Sequence, residues 1–151
     1  MPAGLVDGPR VFLRCAGYGR VLSAAFLEAA VRATLAHAAP AVVGDVTVVL
    51  TGDRKIRELN RTYRGIDRAT DVLSFDIGDG LERGEPLGDV VISVDTARRQ
   101  AREYGAQLRT EVARLLVHGT LHLCGYDHKL PREAARMHGL TRRLVLKLTS
   151  A

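Results

Sequence analysis

"VHGTLHLCGYDH", residues 117–128, decides how this chain is built, because it brings His118, His122 and His128 together among only five histidines in the sequence. On an α-helix the first two, four residues apart, lie on one face about one turn from each other, so both imidazoles reach a single point. Continuing that helix would carry His128 well off the face, since six further residues at roughly 100° each do not return to it. The chain must turn. Gly125 sits where it can take the left-handed conformation that ends helices, after which "YDH" folds back toward the pair. The pattern H-x3-H-x5-H therefore reads as helix, glycine stop and returning ligand.

A lone histidine is usually a satisfied core side chain or an exposed one, and a loop can collect several by chance. Neither origin accounts for this spacing. Three neutral imidazoles converging on one point suit zinc, and three protein ligands with a fourth position open is the catalytic arrangement rather than the closed structural one. Copper, nickel and iron also bind imidazole, so the spacing defines a metal site more firmly than it defines the metal. Cys124, set among leucines, reads as a small buried hydrophobe. With Cys15 it makes no disulfide framework.

The chain has 151 residues, 46% of them hydrophobic, enough for one domain over residues 1–151 with a real core. No apolar run approaches the length that spans a bilayer, and "MPAGLVDGPR" at residues 1–10 lacks the basic-then-apolar pattern of a signal peptide. A cytoplasmic protein without membrane attachment is expected. The net charge of +5 comes from 22 basic against 17 acidic residues, and among the basic ones only Lys55, Lys129 and Lys147 are lysine. Guanidinium forks pair with phosphates, so this arginine-rich balance is compatible with a nucleic-acid partner. With 5% aromatic residues the sequence offers no stacking platform.

Outward from the histidines, strands and helices mix without repeats. "RVFLRC" (10–15), "DVTVVL" (45–50), "TDVLSFDI" (70–77) and "LGDVVISV" (87–94) read as strands. "GDGLERGEP" between the last two, with three glycines and a proline, predicts a flexible hairpin connection. Residues 21–38 predict a helix stopped before Pro40. A second helix starts near Asp53 with Ile56, Leu59 and Tyr63 on one face, and a third is capped by Asp95 with Ala97, Ala101 and Tyr104 on its buried side. Leu108, Val112, Leu115 and His122 define a face of the helix that carries the histidines. A last helix from about Pro131 shows the stripe Met137, Leu140, Leu144 and Leu148, an ordinary core pattern. The expected class is α+β: a mixed sheet of about four strands, helices packed on it, and the histidine helix central because "LLVHGTLHL" is apolar nearly all round. Gly119 costs that helix about 1 kcal/mol relative to alanine, so close packing or access to the metal must require it.

"HGTLHLCGYDH" (118–128), "NRTYRGIDRATDVLSFDIG" (60–78), "LGDVVIS" (87–93) and "QAREYG" (100–105) together resemble the YbeY endoribonuclease family, in the same order and over most of the chain. The resemblance implies a metal-dependent single-strand endoribonuclease that acts on small-subunit ribosomal RNA in 16S 3′-end maturation and in ribosome quality control, beside ribosome-associated proteins. It implies zinc ligation by His118, His122 and His128, catalytic importance for His118, and a functional arginine at Arg64. The family block usually has proline before "TDVLSF" and often after it, where this chain has Ala69 and Asp76.

The chemistry agrees with that expectation. Zinc lowers the pKa of bound water and polarises phosphoryl oxygens, and a guanidinium at Arg64 would meet the charge that grows on the phosphate. Without the resemblance Arg64 reads as a solvated residue at a helix end. Asp71 and Asp127 are candidates to orient an imidazole through its other nitrogen, or simply to cap and turn the chain. Position 119 is glycine where a zinc protease motif H-E-x-x-H carries glutamate, which disfavours peptide hydrolysis. Two other readings stay open: an RNA-binding ribosome-assembly factor whose metal mainly holds the fold, and a metallohydrolase of another substrate.

Overall fold

Alternation along the β-branched segments sets the layers of the molecule. The computed structural model describes residues 8–150, so residues 1–7, part of the segment read as lacking a signal peptide, lie outside it. Strands β1 (Val11–Arg14), β2 (Asp45–Thr51), β3 (Val72–Asp76) and β4 (Pro86–Ser93) form one sheet in the order β1-β2-β4-β3. β1 and β4 run parallel to β2, while β3 pairs antiparallel with β4. The expected mixed sheet with one hairpin is present. Its connection is held more firmly than expected: Gly80 is buried and its carbonyl accepts hydrogen bonds from the Val43 and Gly44 amides, both at 2.9 Å.

Because successive side chains on a strand point to opposite faces, Val46, Val48, Leu50, Val90 and Ile92 share one core with helices α1 (Ala24–Ala38), α3 (Val94–Tyr104) and α4 (Leu108–Leu123). Leu73 and Val91 instead pack with Ile56 of α2 (Asp53–Arg64) on the opposite face. Helix α5 (Pro131–Thr149) adds an outer layer, setting Met137, Leu140 and Leu144 against Ala113, Val117 and Leu121 of α4. Among the described residues no helix is long and apolar enough to cross a membrane.

Helix α4 is enclosed by α1, α3, α5 and the β3–β4 hairpin. Gly119 has a specific reason within it. A Cβ there would stand 2.6 Å from Val90 Cγ1, 3.1 Å from Ser74 Oγ and 3.2 Å from Val72 Cγ2, so the helix reaches the sheet this closely only without a side chain. Close packing, not access, is what the glycine provides.

Three local expectations are corrected. Tyr63 is 67% exposed, since α2 ends at Gly65 and the buried position of its last turns is taken by Asn60, which donates to the Arg68 carbonyl at 2.9 Å. Tyr104 is 64% exposed because it is the last residue of α3, beyond the cover that buries Ala97 and Ala101. Asp95 does not cap its own helix. Ser93 does, accepting from the Thr96 amide, while the Asp95 carboxylate accepts from the Asp53 amide at 2.9 Å and so caps α2, whose own N-cap is Gly52.

Candidate metal centre

The site begins with how α4 ends. Its last turn closes with the Gly125 amide on the His122 carbonyl (3.0 Å) and the Tyr126 amide on the Leu121 carbonyl (3.0 Å), with Gly125 at φ 90°. Nothing lies within 4 Å of a Cβ added at Gly125, so the need for glycine is conformational alone. Beyond this stop the Asp127 carboxylate accepts from the His128 amide at 2.7 Å, which fixes the return of His128.

Helix, stop and return bring the three imidazoles together as the spacing predicts. Their candidate ligand atoms all lie within 4.8 Å of one another, and the Nε2 atoms of His118 and His122 are 3.1 Å apart. Nitrogens each about 2.0–2.1 Å from one tetrahedral ion would stand about 3.4 Å apart, so the spacing fits a shared metal. An N–H···N hydrogen bond accounts for that pair only and gives no reason for the third ring. Burial and the neighbouring His122 and His128 rings push His118 down to about 4. Burial and His128 lower His122 as well. Both rings are therefore neutral near pH 7, the form that binds metals.

Neither candidate carboxylate hydrogen-bonds an imidazole among the described residues. Asp127 serves the turn. Asp71 accepts from the Val72 amide at 2.8 Å and from Gln100 Nε2 at 3.3 Å, near enough to His118 to act on its charge. Burial pushes the Cys124 thiol up to about 11, so it stays protonated beside the site and packs with the core.

Arg64 arrives from the other face of the sheet. It closes α2, and its guanidinium reaches round the edge strand β3 to donate a long 3.5 Å bond to the Ser74 carbonyl. Ser74 Oγ in turn donates to the Gly119 carbonyl at 2.9 Å, tying this edge to the histidine helix. The Arg64 charge acts on His122, so the two residues share one neighbourhood, and among the described residues its other donors have no partner.

A second cation, Arg114, stands near the triad, its charge acting on His118 and its guanidinium 3.9 Å from the Asp71 carboxylate just before β3. Arg114, His118 and His122 are spaced by four and occupy one stripe of α4, a signal present in the sequence but not read there. The buried Glu111 grips Arg114 in a fork, with Nε–Oε1 at 2.8 Å and Nη2–Oε2 at 2.7 Å, and accepts from Gln100 Nε2 at 2.6 Å.

A family profile described as Endoribonuclease YbeY matches residues 20–149. This chain belongs to that family. A YbeY relative from Myxococcus xanthus, named Endoribonuclease YbeY, is 56% identical over 104 residues, which are 67% of this chain and 35% of that protein. One of the same name from Aquifex aeolicus is 51% identical over 108 residues, 71% of this chain and 72% of its own length. The solution structure of a Thermotoga maritima protein superposes with a TM-score of 0.64 at 27% identity, covering 93% of this chain and 88% of that one. The YbeY match contains every residue placed around the triad, from Arg64 to His128.

Proposed function

We propose that this chain is a zinc-dependent endoribonuclease specific for single strands, cytoplasmic, acting in 16S rRNA 3′-end maturation and ribosome quality control. The observation that carries the reading is the three-histidine cluster at a surface cleft with Arg64 beside it, in a chain of the YbeY family.

His118, His122 and His128 would hold the ion, and a bound zinc supplies polarisation of a phosphoryl oxygen and a bound water with pKa near 7. The protein does the rest. The Gly125 stop, with the Asp127 carboxylate accepting from the His128 amide, fixes the return of His128 to the other two rings before substrate arrives. Arg64 offers forked donors to the phosphate and stabilises charge that grows there in the transition state. Arg114 contributes less net charge than Arg64, since Glu111 neutralises it. His128 is exposed, and the cluster opens on a cleft, which favours a catalytic site over a closed structural one.

The test is cleavage of a single-stranded RNA by metal-loaded protein, with His118→Ala purified in parallel to expose contaminating nuclease. Cleavage by the parent alone is expected. Tight RNA binding without cleavage by the loaded parent would replace this reading with that of an assembly factor.

A further inference from the structure

A cavity of about 720 Å³ opens beside the triad, within the size of small-ligand sites. It has His118 at one end and runs between α4 and α5, with Arg114 and Thr110 on one wall and Ala135, His138 and Arg142 on the other. Thr110, Arg114 and His118 are spaced by four, so the groove follows α4 for two turns, about 12 Å at 1.5 Å per residue. Its floor includes the buried Met137 and Val145. At its rim stands the exposed Tyr104, with the Arg114 guanidinium 6.0 Å from its ring centroid.

The charges are arranged unevenly. Arg114 is neutralised by Glu111, whereas among the described residues neither Arg142 nor His138 has a hydrogen-bond or ion-pair partner. Around the groove stand imidazoles that can hold a metal, an apolar floor with a tyrosine edge, and on the α5 wall a guanidinium without a partner among the described residues. A nucleotide with its two phosphates carries a chemical group for each of these: a phosphodiester for the metal, a base for the apolar floor, and a second phosphate for the guanidinium. The apolar floor alone would suit an aliphatic chain, but a cation without a partner on its wall favours a polyanion.

We propose that the groove between α4 and α5 holds the unpaired nucleotide beside the scissile phosphate, with its base on the apolar floor against Tyr104 and its outer phosphate on Arg142. The proposal rests on the nuclease reading above and names a subsite for it. A base can enter such a groove only after leaving its stack and its pair, which gives selection for single strands a physical cause. Recognition through phosphates alone is then incomplete.

The experiment uses the metal-loaded chain and a single-stranded oligoribonucleotide in which one abasic nucleotide is moved stepwise across the cut. Cleavage should fall about tenfold or more when the abasic position occupies the groove, on one side of the cut only. Arg142→Ala, and Ala135→Trp, which fills the groove from an exposed wall, should each raise KM roughly tenfold with metal content and Tm at parental values. Tolerance of abasic nucleotides at every position, with parental KM in both variants, would overturn the groove while leaving the nuclease reading intact. Failure of the loaded parent to cleave the unmodified strand would remove that reading and the groove with it.

Discussion

At the scale of single residues, the groups that hold the site are distinct from the groups that act on substrate. Among the described residues the Arg64 side chain makes one hydrogen bond, a long one to the Ser74 carbonyl, so its loss should leave stability nearly unchanged. Arg64→Ala is expected to keep zinc content and Tm while RNA cleavage falls roughly 10²–10³-fold, with Arg64→Lys recovering only part because an ammonium cannot make the forked contact. Full activity in Arg64→Ala with the metal site filled would remove it from the mechanism. His118 predicts a pH dependence. Its pKa falls from 6.5 in the unfolded chain to about 4 in the folded one, chiefly by burial. Between those values the unfolded chain binds more protons, so stability declines as pH drops from about 6.5 toward about 4 and is insensitive to this group above that window. Chelator-treated protein should therefore lose more urea midpoint between about pH 7 and about pH 5 than chelator-treated His118→Asn does. Equal losses would show that His118 does not carry the effect.

At the scale of elements, the two glycines of α4 and its turn do different work, and substitution tells them apart. A Cβ at 119 would press on Val90, Ser74 and Val72. Gly119→Ala should cost roughly 1–2 kcal/mol even after the gain in helix propensity, seen as a drop of a few degrees in Tm. Gly125→Ala meets no atoms, but its φ of 90° strains an L-residue by about 1–2 kcal/mol and misdirects His128, so zinc affinity should suffer more than Tm. Parental zinc affinity in Gly125→Ala would detach the turn from the site. Much at this scale was legible in the sequence. The histidine spacing and Gly125 predicted the helix, its stop and the returning ring, because local periodicity and turn chemistry decide them. Tyr63 and Tyr104 were placed on buried faces because periodicity names a face but not where its cover ends. The Asp95 carboxylate capping α2, and the Gln100–Glu111–Arg114 clamp beside the triad, depend on elements distant in sequence and needed the fold to appear.

At the scale of the whole molecule, a sheet with α2 on one face and four-helix cover toward the other brings Arg64 of α2 and Arg114 of α4 to one histidine cluster. A net charge of +5 with arginines flanking the site should draw RNA through its phosphates, so log K for a single strand should fall linearly with log salt. Salt-insensitive binding would place recognition elsewhere. The α4–α5 groove was invisible in sequence: the stripe Met137, Leu140 and Leu144 reads as ordinary core, and only packing shows that the neighbouring stripe of α5 faces a cavity. Catalysis at this site requires three rings that share one ion, and metal analysis of purified parent, His118→Ala, His122→Ala and His128→Ala tests that most directly. About one zinc per parent chain is expected, with a marked loss in each variant; undiminished metal in all three would contradict the site.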